Sequence, residues 1–124
     1  MDDCLRSIIN QTFKDWELIA IDDFSTDKSY ALLTQFSQKD SRIKVYRNLK
    51  TGIVNGLNQG ISLAKSDFIA RMDADDIMLP HRLSEQMQVM LAREDLGLIS
   101  SLVKHTPLGA HDTRGYESYV KWTN

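Results

Sequence analysis

The stretch FIARMDADDIMLP, residues 68–80, sets Asp73, Asp75 and Asp76 almost side by side behind a short apolar run. Carboxylates this close repel one another, so the crowding needs a reason. One aspartate behind a strand commonly caps the next helix or shapes a turn, and Asp75 or Asp76 suits that role ahead of Pro80. A cap uses one carboxylate and leaves two unexplained. A bound cation accounts for all three, because it turns mutual repulsion into shared coordination. Oxygen-only donors favour a hard ion, Mg²⁺ or Mn²⁺, over zinc. Such a site keeps coordination positions open for water or for phosphate oxygens of a substrate. A second acidic pair, Asp22 and Asp23, follows the apolar run ELIAI at 17–21, where turn formation is the plainer alternative to a site. Arg71 stands just ahead of the first cluster, placed either to neutralise it and reach a diphosphate or simply to face solvent. His81 and Arg82 fall in the first turn of the next predicted helix, and that exposed turn is the expected home of His81. Cys4 is the lone cysteine, so there is no disulfide framework and no thiolate metal site; it reads as a packed core residue.

The elements that must position these groups are legible in the hydrophobic periods. Cys4, Leu5, Ile8 and Ile9 repeat as a helix that QTFKDW breaks, and ELIAI is a buried strand. STDKS caps a helix carrying Leu32, Leu33 and Phe36, and RIKVYR (42–47) alternates as a strand. Gly52 marks a turn. A helical stripe of Ile53, Leu57, Ile61 and Ala64 comes next, then FIARM (68–72) as a strand. Pro80 opens a helix with Leu83, Met87, Met90 and Leu91 on one face; both methionines read as core. LGLISSLV (96–103) reads as a further strand, and the remainder as loop with a weak helix around Tyr116–Trp122. Alternating strands and helices imply crossovers and a mostly parallel sheet flanked by helices, hence an α/β domain. In such sheets ligands bind beyond the carboxyl ends of strands, which is where both acidic clusters are expected, along one edge.

Composition narrows the function classes. The chain has 124 residues, long enough for one domain, with 42% apolar and 26% charged residues. A net charge of -2 gives no reason to expect nucleic acid or an anionic membrane as partner. No apolar run has the length of a membrane span, and MDDCLRSIINQ lacks the basic start and long apolar stretch of a signal peptide. The expectation is a cytoplasmic protein, or the cytoplasmic or membrane-peripheral part of something larger.

Two families place acidic groups at such strand ends. LIAIDDFS and DIMLP resemble parts of a response-regulator receiver, which would make Asp76 a phosphoacceptor and Lys104 its partner lysine. A receiver needs two helices and two strands between those residues, and the span from Asp76 to Lys104 fits one of each. It stays a remote alternative. The second resemblance covers much more. SIINQTFKDWELIAIDDFSTDKS (7–29) resembles the start of family 2 glycosyltransferases: Ser-x-x-x-Gln-Thr at a helix end, a strand, then Asp-Asp-x-Ser-x-Asp. TGIVNGLNQGISLAKSDFIARMDADDIMLPHRLSEQ (51–86) is similar to that family's Gly turn, Asn-x-Gly-Ile helix, Asp-x-Asp motif and Pro-x-Arg-Leu.

The resemblance implies a Rossmann-like GT-A nucleotide-sugar-binding fold over 1–103, without its first strand, and a segment at 104–124 leading toward an acceptor region that is absent. It implies transfer of a sugar from a nucleoside diphosphate sugar, a UDP-sugar above all, to an acceptor hydroxyl, with inversion and with Mg²⁺ or Mn²⁺. It carries donor contacts onto Asp22, Asp23, Gly52, Asn58, Arg71 and Asp73, and metal ligation onto Asp73, Asp75 and Asp76. Asp23 is implied to meet a base N–H, with Asp22 assisting, and Asp75 or Asp76 to touch the ion. The catalytic base is expected beyond residue 124; Asp112 and Glu117 sit in no recognisable base motif, and neither is assigned. The competing expectation is a module that binds nucleotide and metal without transfer.

Overall fold

The computed structural model describes residues 1–104, which fall into two compact units, Met1–Ser84 and a second from Glu85 onward. The expected tail helix around Tyr116–Trp122, and with it Asp112 and Glu117, lies outside the described residues. The first unit begins with α1, Asp2–Ile9. Asp2 and Asp3 in its first turn complement the helix dipole, and its inward stripe buries Cys4, Leu5 and Ile8. Cys4 and Ile8 form a core with Met78, against which Trp16, Leu18, Met72 and Leu83 pack. Burial chiefly pushes the Cys4 thiol up, so it stays protonated and inert, as expected of a core residue.

Strand β1, Leu18–Asp22, pairs in parallel with β2, Ile43–Arg47, in a register running from Leu18 opposite Ile43 to Asp22 opposite Arg47. The connection is α2, Ser29–Lys39, which buries Leu33 and packs on both strands. The N-cap is Lys28 with no side-chain capping bond, so STDKS does not cap the helix as expected; Asp27 instead accepts the Ser29 N–H at 2.8 Å in a turn just ahead of it. At the opening ends of the strands, Arg42 stacks 3.7 Å over the Trp16 ring and pairs with Asp40 at 2.7 Å. Its remaining donor reaches the Lys14 carbonyl at 3.1 Å. Glu17 accepts from the Lys65 backbone N–H at 2.9 Å and from Lys44 at 3.2 Å, tying the chain after α3 back to the start of β1.

Helix α3, Ile53–Leu63, departs from its expected orientation. The stripe of Ile53, Leu57 and Ile61 is exposed, by 64%, 40% and 58%. The helix instead approaches β1 through Gly56 and Gly60, whose hydrogens face Ile21. Periodicity marks an apolar face but not which face has a neighbour; glycines allow a closer approach of backbone to strand than the branched residues would.

The expected strands at 68–72 and 96–103 are absent among the described residues, where the sheet consists of β1 and β2. Both segments are irregular, and Phe68, Ile69, Leu98 and Leu102 are exposed. Apolar β-prone residues supply a face, but a strand also needs a place in a sheet ladder, and among the described residues that ladder is made by β1 and β2. Helix α4, Arg82–Ala92, follows Pro80 as expected. In the second unit, the rest of that helix leads into an irregular segment where Arg93 and Asp95 pair at 2.8 Å. No helix among the described residues is long and apolar enough to cross a membrane.

Candidate functional site

Strand alternation sends Asp22 and Asp23 to different fates. Asp22, the last residue of β1, is 2% exposed. Its carboxylate lies 3.5 Å from the Arg47 guanidinium and makes no hydrogen bond. Arg47 in turn stacks 4.1 Å over the Tyr30 ring. Asp22 therefore anchors the exit of β1 to the exit of β2, with its side chain turned away from solvent.

Asp23 is exposed, and the turn at 48–52 is folded around it. Its carboxylate accepts from Asn48 Nδ2 at 2.8 Å and from the Gly52 N–H at 3.0 and 3.2 Å. Asn48 is 4% exposed; its own N–H continues the ladder to the Asp22 carbonyl at 2.8 Å, and its amide also donates to the Gly52 carbonyl at 3.3 Å. Gly52 has φ 115 and ψ 147, a conformation reserved for glycine, and this aims its N–H at the carboxylate. Gln59 of α3 secures the same turn, donating to the Arg47 carbonyl at 3.0 Å and accepting from the Leu49 N–H at 2.8 Å. The result is a carboxylate fixed in direction beyond the carboxyl end of a strand, with solvent on its open side. Phe24, next in sequence, has φ 58 and a half-exposed ring. Asn58 stands exposed on α3.

The second cluster sits in a turn closed by the Asp76 N–H donating to the Asp73 carbonyl at 3.2 Å; it does not follow a strand, because 68–72 forms none. Arg71 pairs with Asp73 at 2.9 Å, both half exposed, so the arginine does neutralise part of the cluster. Arg82 supports the turn from behind, donating to the Arg71 carbonyl at 3.2 Å and to Met72 Sδ at 3.4 Å. Asp75 and Asp76 are exposed. Among the described residues no three acidic, histidine or cysteine side chains converge into a ready-made metal cage. What the loop offers is a set of exposed carboxylate oxygens, the donor type that hard cations prefer. Among the described residues no hydrogen bond or ion pair links Asp23 to this loop.

The sequence reading missed the amides. Asn48 and Gln59 organise the Asp23 side. Ser7, Gln11 and Thr12, quoted only as part of a pattern, hold the chain behind the acidic turn. Asn48 was findable in principle, as a polar residue that ends an alternating strand shortly before a glycine. Gln11 carries no local signal, since its partners lie far along the chain.

Comparison with known proteins shows the family. The sequence model described as glycosyl transferase family 2 matches residues 1–123. The chain is 40% identical over 96 residues to an uncharacterised glycosyltransferase of Haemophilus influenzae, covering 77% of this chain and 29% of that protein. It is 41% identical over 105 residues to the bifunctional glycosyltransferase pgtA of Dictyostelium discoideum, covering 81% and 14%. It is 37% identical over 109 residues to the O-antigen biosynthesis glycosyltransferase WbnJ of Escherichia coli, covering 84% and 41%. The chain thus spans less than half the length of each of these relatives. A match over nearly the whole chain leaves no place for the receiver alternative; the chain belongs to glycosyl transferase family 2, whose Rossmann-like GT-A fold accounts for its parallel α/β core.

Proposed function

We propose that residues 1–103 form the donor-binding part of an enzyme that transfers a sugar from a nucleoside diphosphate sugar to an acceptor hydroxyl with inversion. The observation that carries this reading is Asp23, held by Asn48 and the Gly52 N–H beyond the carboxyl end of β1. A carboxylate so oriented is an acceptor for a base N–H, and a uracil-like base makes a UDP-sugar the favoured donor. Asp22 takes part indirectly, by fixing the strand end through Arg47. Gly52 is proposed to serve the donor through its backbone N–H at Asp23, and exposed Asn58 of α3 to add a contact.

Asp75 and Asp76, with Asp73, would hold Mg²⁺ or Mn²⁺, and such an ion supplies charge stabilisation to a departing diphosphate. Arg71, half exposed and paired with Asp73, is able to exchange that carboxylate for a phosphate oxygen. In the reaction the acceptor oxygen attacks the anomeric carbon and the bond to the diphosphate breaks on the opposite side. The nucleoside diphosphate carries away the electron pair, and a carboxylate takes the acceptor's proton. That base is proposed to lie outside residues 1–124. The name of the Escherichia coli relative refers to O-antigen biosynthesis, which favours a polysaccharide or glycoconjugate acceptor. A cytoplasmic or membrane-peripheral location fits such a role.

UDP with MnCl₂ at one hundred times the dissociation constant is expected to stabilise the chain by about 2.7 kcal/mol, read as a rise in Tm. Asp75→Ala is expected to abolish the Mn²⁺-dependent part of that rise. An unchanged Tm in the native chain contradicts the donor site. The second reading is a nucleotide- and metal-binding module without transfer. Release of nucleoside diphosphate from activated sugars separates the two.

A further inference from the structure

Phe24 follows Asp23 directly and holds φ 58, the one non-glycine residue with positive φ among the described residues. In that left-handed region an L side chain crowds its own backbone, and a bulky aromatic is an outlier there. Glycine would turn the chain between β1 and α2 without this cost. Packing does not offset it. The ring is 48% exposed and stands outside the buried core of Cys4, Ile8 and Met78. Other aromatic side chains of the first unit are placed differently: Trp16 packs against that core, while Tyr30 and Phe36 each lie beneath a guanidinium. Phe68, also exposed, carries no such backbone strain. Strain that packing leaves uncompensated clusters at positions that hold ligands.

The neighbouring carboxylate shows what such a ligand lacks. Asp23 Oδ1 accepts from Asn48 Nδ2 at 2.8 Å and from the Gly52 N–H at 3.2 Å, whereas Oδ2 accepts from the Gly52 N–H alone, at 3.0 Å. Oδ2 therefore keeps lone-pair capacity for a further donor. A hydrogen bond of that kind meets the edge of a planar base and leaves both of its faces to water. Consecutive Cα atoms are about 3.8 Å apart, so a ring at position 24 starts one residue away from the edge contact. Every base has a π-face, and an exposed phenyl ring is a platform for it. We propose that Phe24 is a donor-binding residue that stacks on the nucleobase whose N–H Asp23 accepts, its left-handed backbone presenting the ring beside the carboxylate. The inference rests on the reading of Asp23 as the base acceptor and adds a face contact to that edge contact. It is independent of the 73–76 turn. Position 24 then favours binding over stability.

UDP titrated into the full chain in metal-free buffer tests this, with affinity read by calorimetry and the uracil H5 and H6 protons followed by NMR. Native protein is expected to bind UDP and to move both protons upfield, because a stacked phenyl ring shields them. Phe24→Tyr keeps the platform and is expected to retain affinity and shift. Phe24→Leu keeps apolar bulk and the same backbone demand without a π-face; it is expected to weaken UDP binding about tenfold and to abolish the upfield shift. Phe24→Gly is expected to weaken binding as much while raising Tm, a combination that damage to the fold cannot produce. Native affinity in Phe24→Leu, or a native complex with no upfield shift, overturns the proposal alone where Asp23→Asn still weakens binding. A native chain that binds no UDP overturns it together with the reading of Asp23.

Discussion

Replacing Gly52 by alanine isolates the backbone conformation on which the Asp23 cradle depends. The added Cβ would meet only Asn55 Nδ2, at 3.6 Å, which is ordinary contact, so crowding contributes little. The cost comes from φ 115, where an L side chain is held in a sparsely populated region at about 1–3 kcal/mol. The turn can escape that strain by rotating, but rotation withdraws the Gly52 N–H from Asp23. A hydrogen bond to a charged acceptor contributes roughly 1.5–3 kcal/mol. The protein loses one or the other, not both in full, so about 2 kcal/mol is expected. For a domain of this size each kcal/mol moves Tm by roughly 4–8 °C, giving a fall of about 10 °C in a circular dichroism melt. In an Asp23→Ala background, where the carboxylate is already gone, Gly52→Ala is expected to cost less than it does alone, because the two share one interaction. A Tm within about a degree of native for Gly52→Ala would refute the reasoning, as would full additivity with Asp23→Ala.

Gly60→Ala is expected to act in the opposite direction: its Cβ would sit 3.9 Å from Ile21 Cγ1 in ordinary contact, and the helix gains about 0.8–1 kcal/mol in propensity, visible as a higher Tm. Phe24→Gly should also raise Tm, through a gain of up to about 1 kcal/mol in stability, because φ 58 favours glycine and the ring is half exposed. Arg42 holds the Asp40 carboxyl below the usual carboxylate range, and the Lys65 N–H and Lys44 do the same for Glu17. Depressed carboxylates contribute stability above their unfolded values and lose it as pH falls through their lowered folded values. Denaturant melts should therefore show stability declining below about pH 4. The gap between native and Arg42→Met should narrow over that range, since protonated Asp40 no longer needs its partner.

Much of the frame was legible from residue pattern. The runs at 17–21 and 42–47 had alternation or length suited to strands, and they became β1 and β2. The Cys4, Leu5 and Ile8 stripe became the buried face of α1. Gly52 was marked as a turn glycine, and its φ of 115 bears that out. The run at 68–72 failed as a strand because local propensity cannot show whether a neighbouring backbone is present to complete the ladder. The stripe of α3 failed for a related reason, since Gly56 and Gly60 make a better surface against Ile21 than the larger residues do. At the candidate site, residue type picked out the carboxylates but not their surroundings. Asp22 and Asp23 look equivalent in sequence; alternation buries one against Arg47 and leaves the other at the surface. The amides that aim Asp23 and anchor the acidic turn gain their roles only from contacts made in the folded chain.

The central claim is that Asp23 and the 73–76 turn serve one nucleotide donor, and calorimetric titration of UDP into the chain, with and without MnCl₂, tests it most directly. Native protein is expected to bind UDP more tightly with Mn²⁺ present, Asp23→Asn to lose affinity under both conditions, and Asp75→Asn to lose only the Mn²⁺-dependent gain. Equal affinity of native, Asp23→Asn and Asp75→Asn proteins for UDP, or no binding by the native chain, would contradict the account.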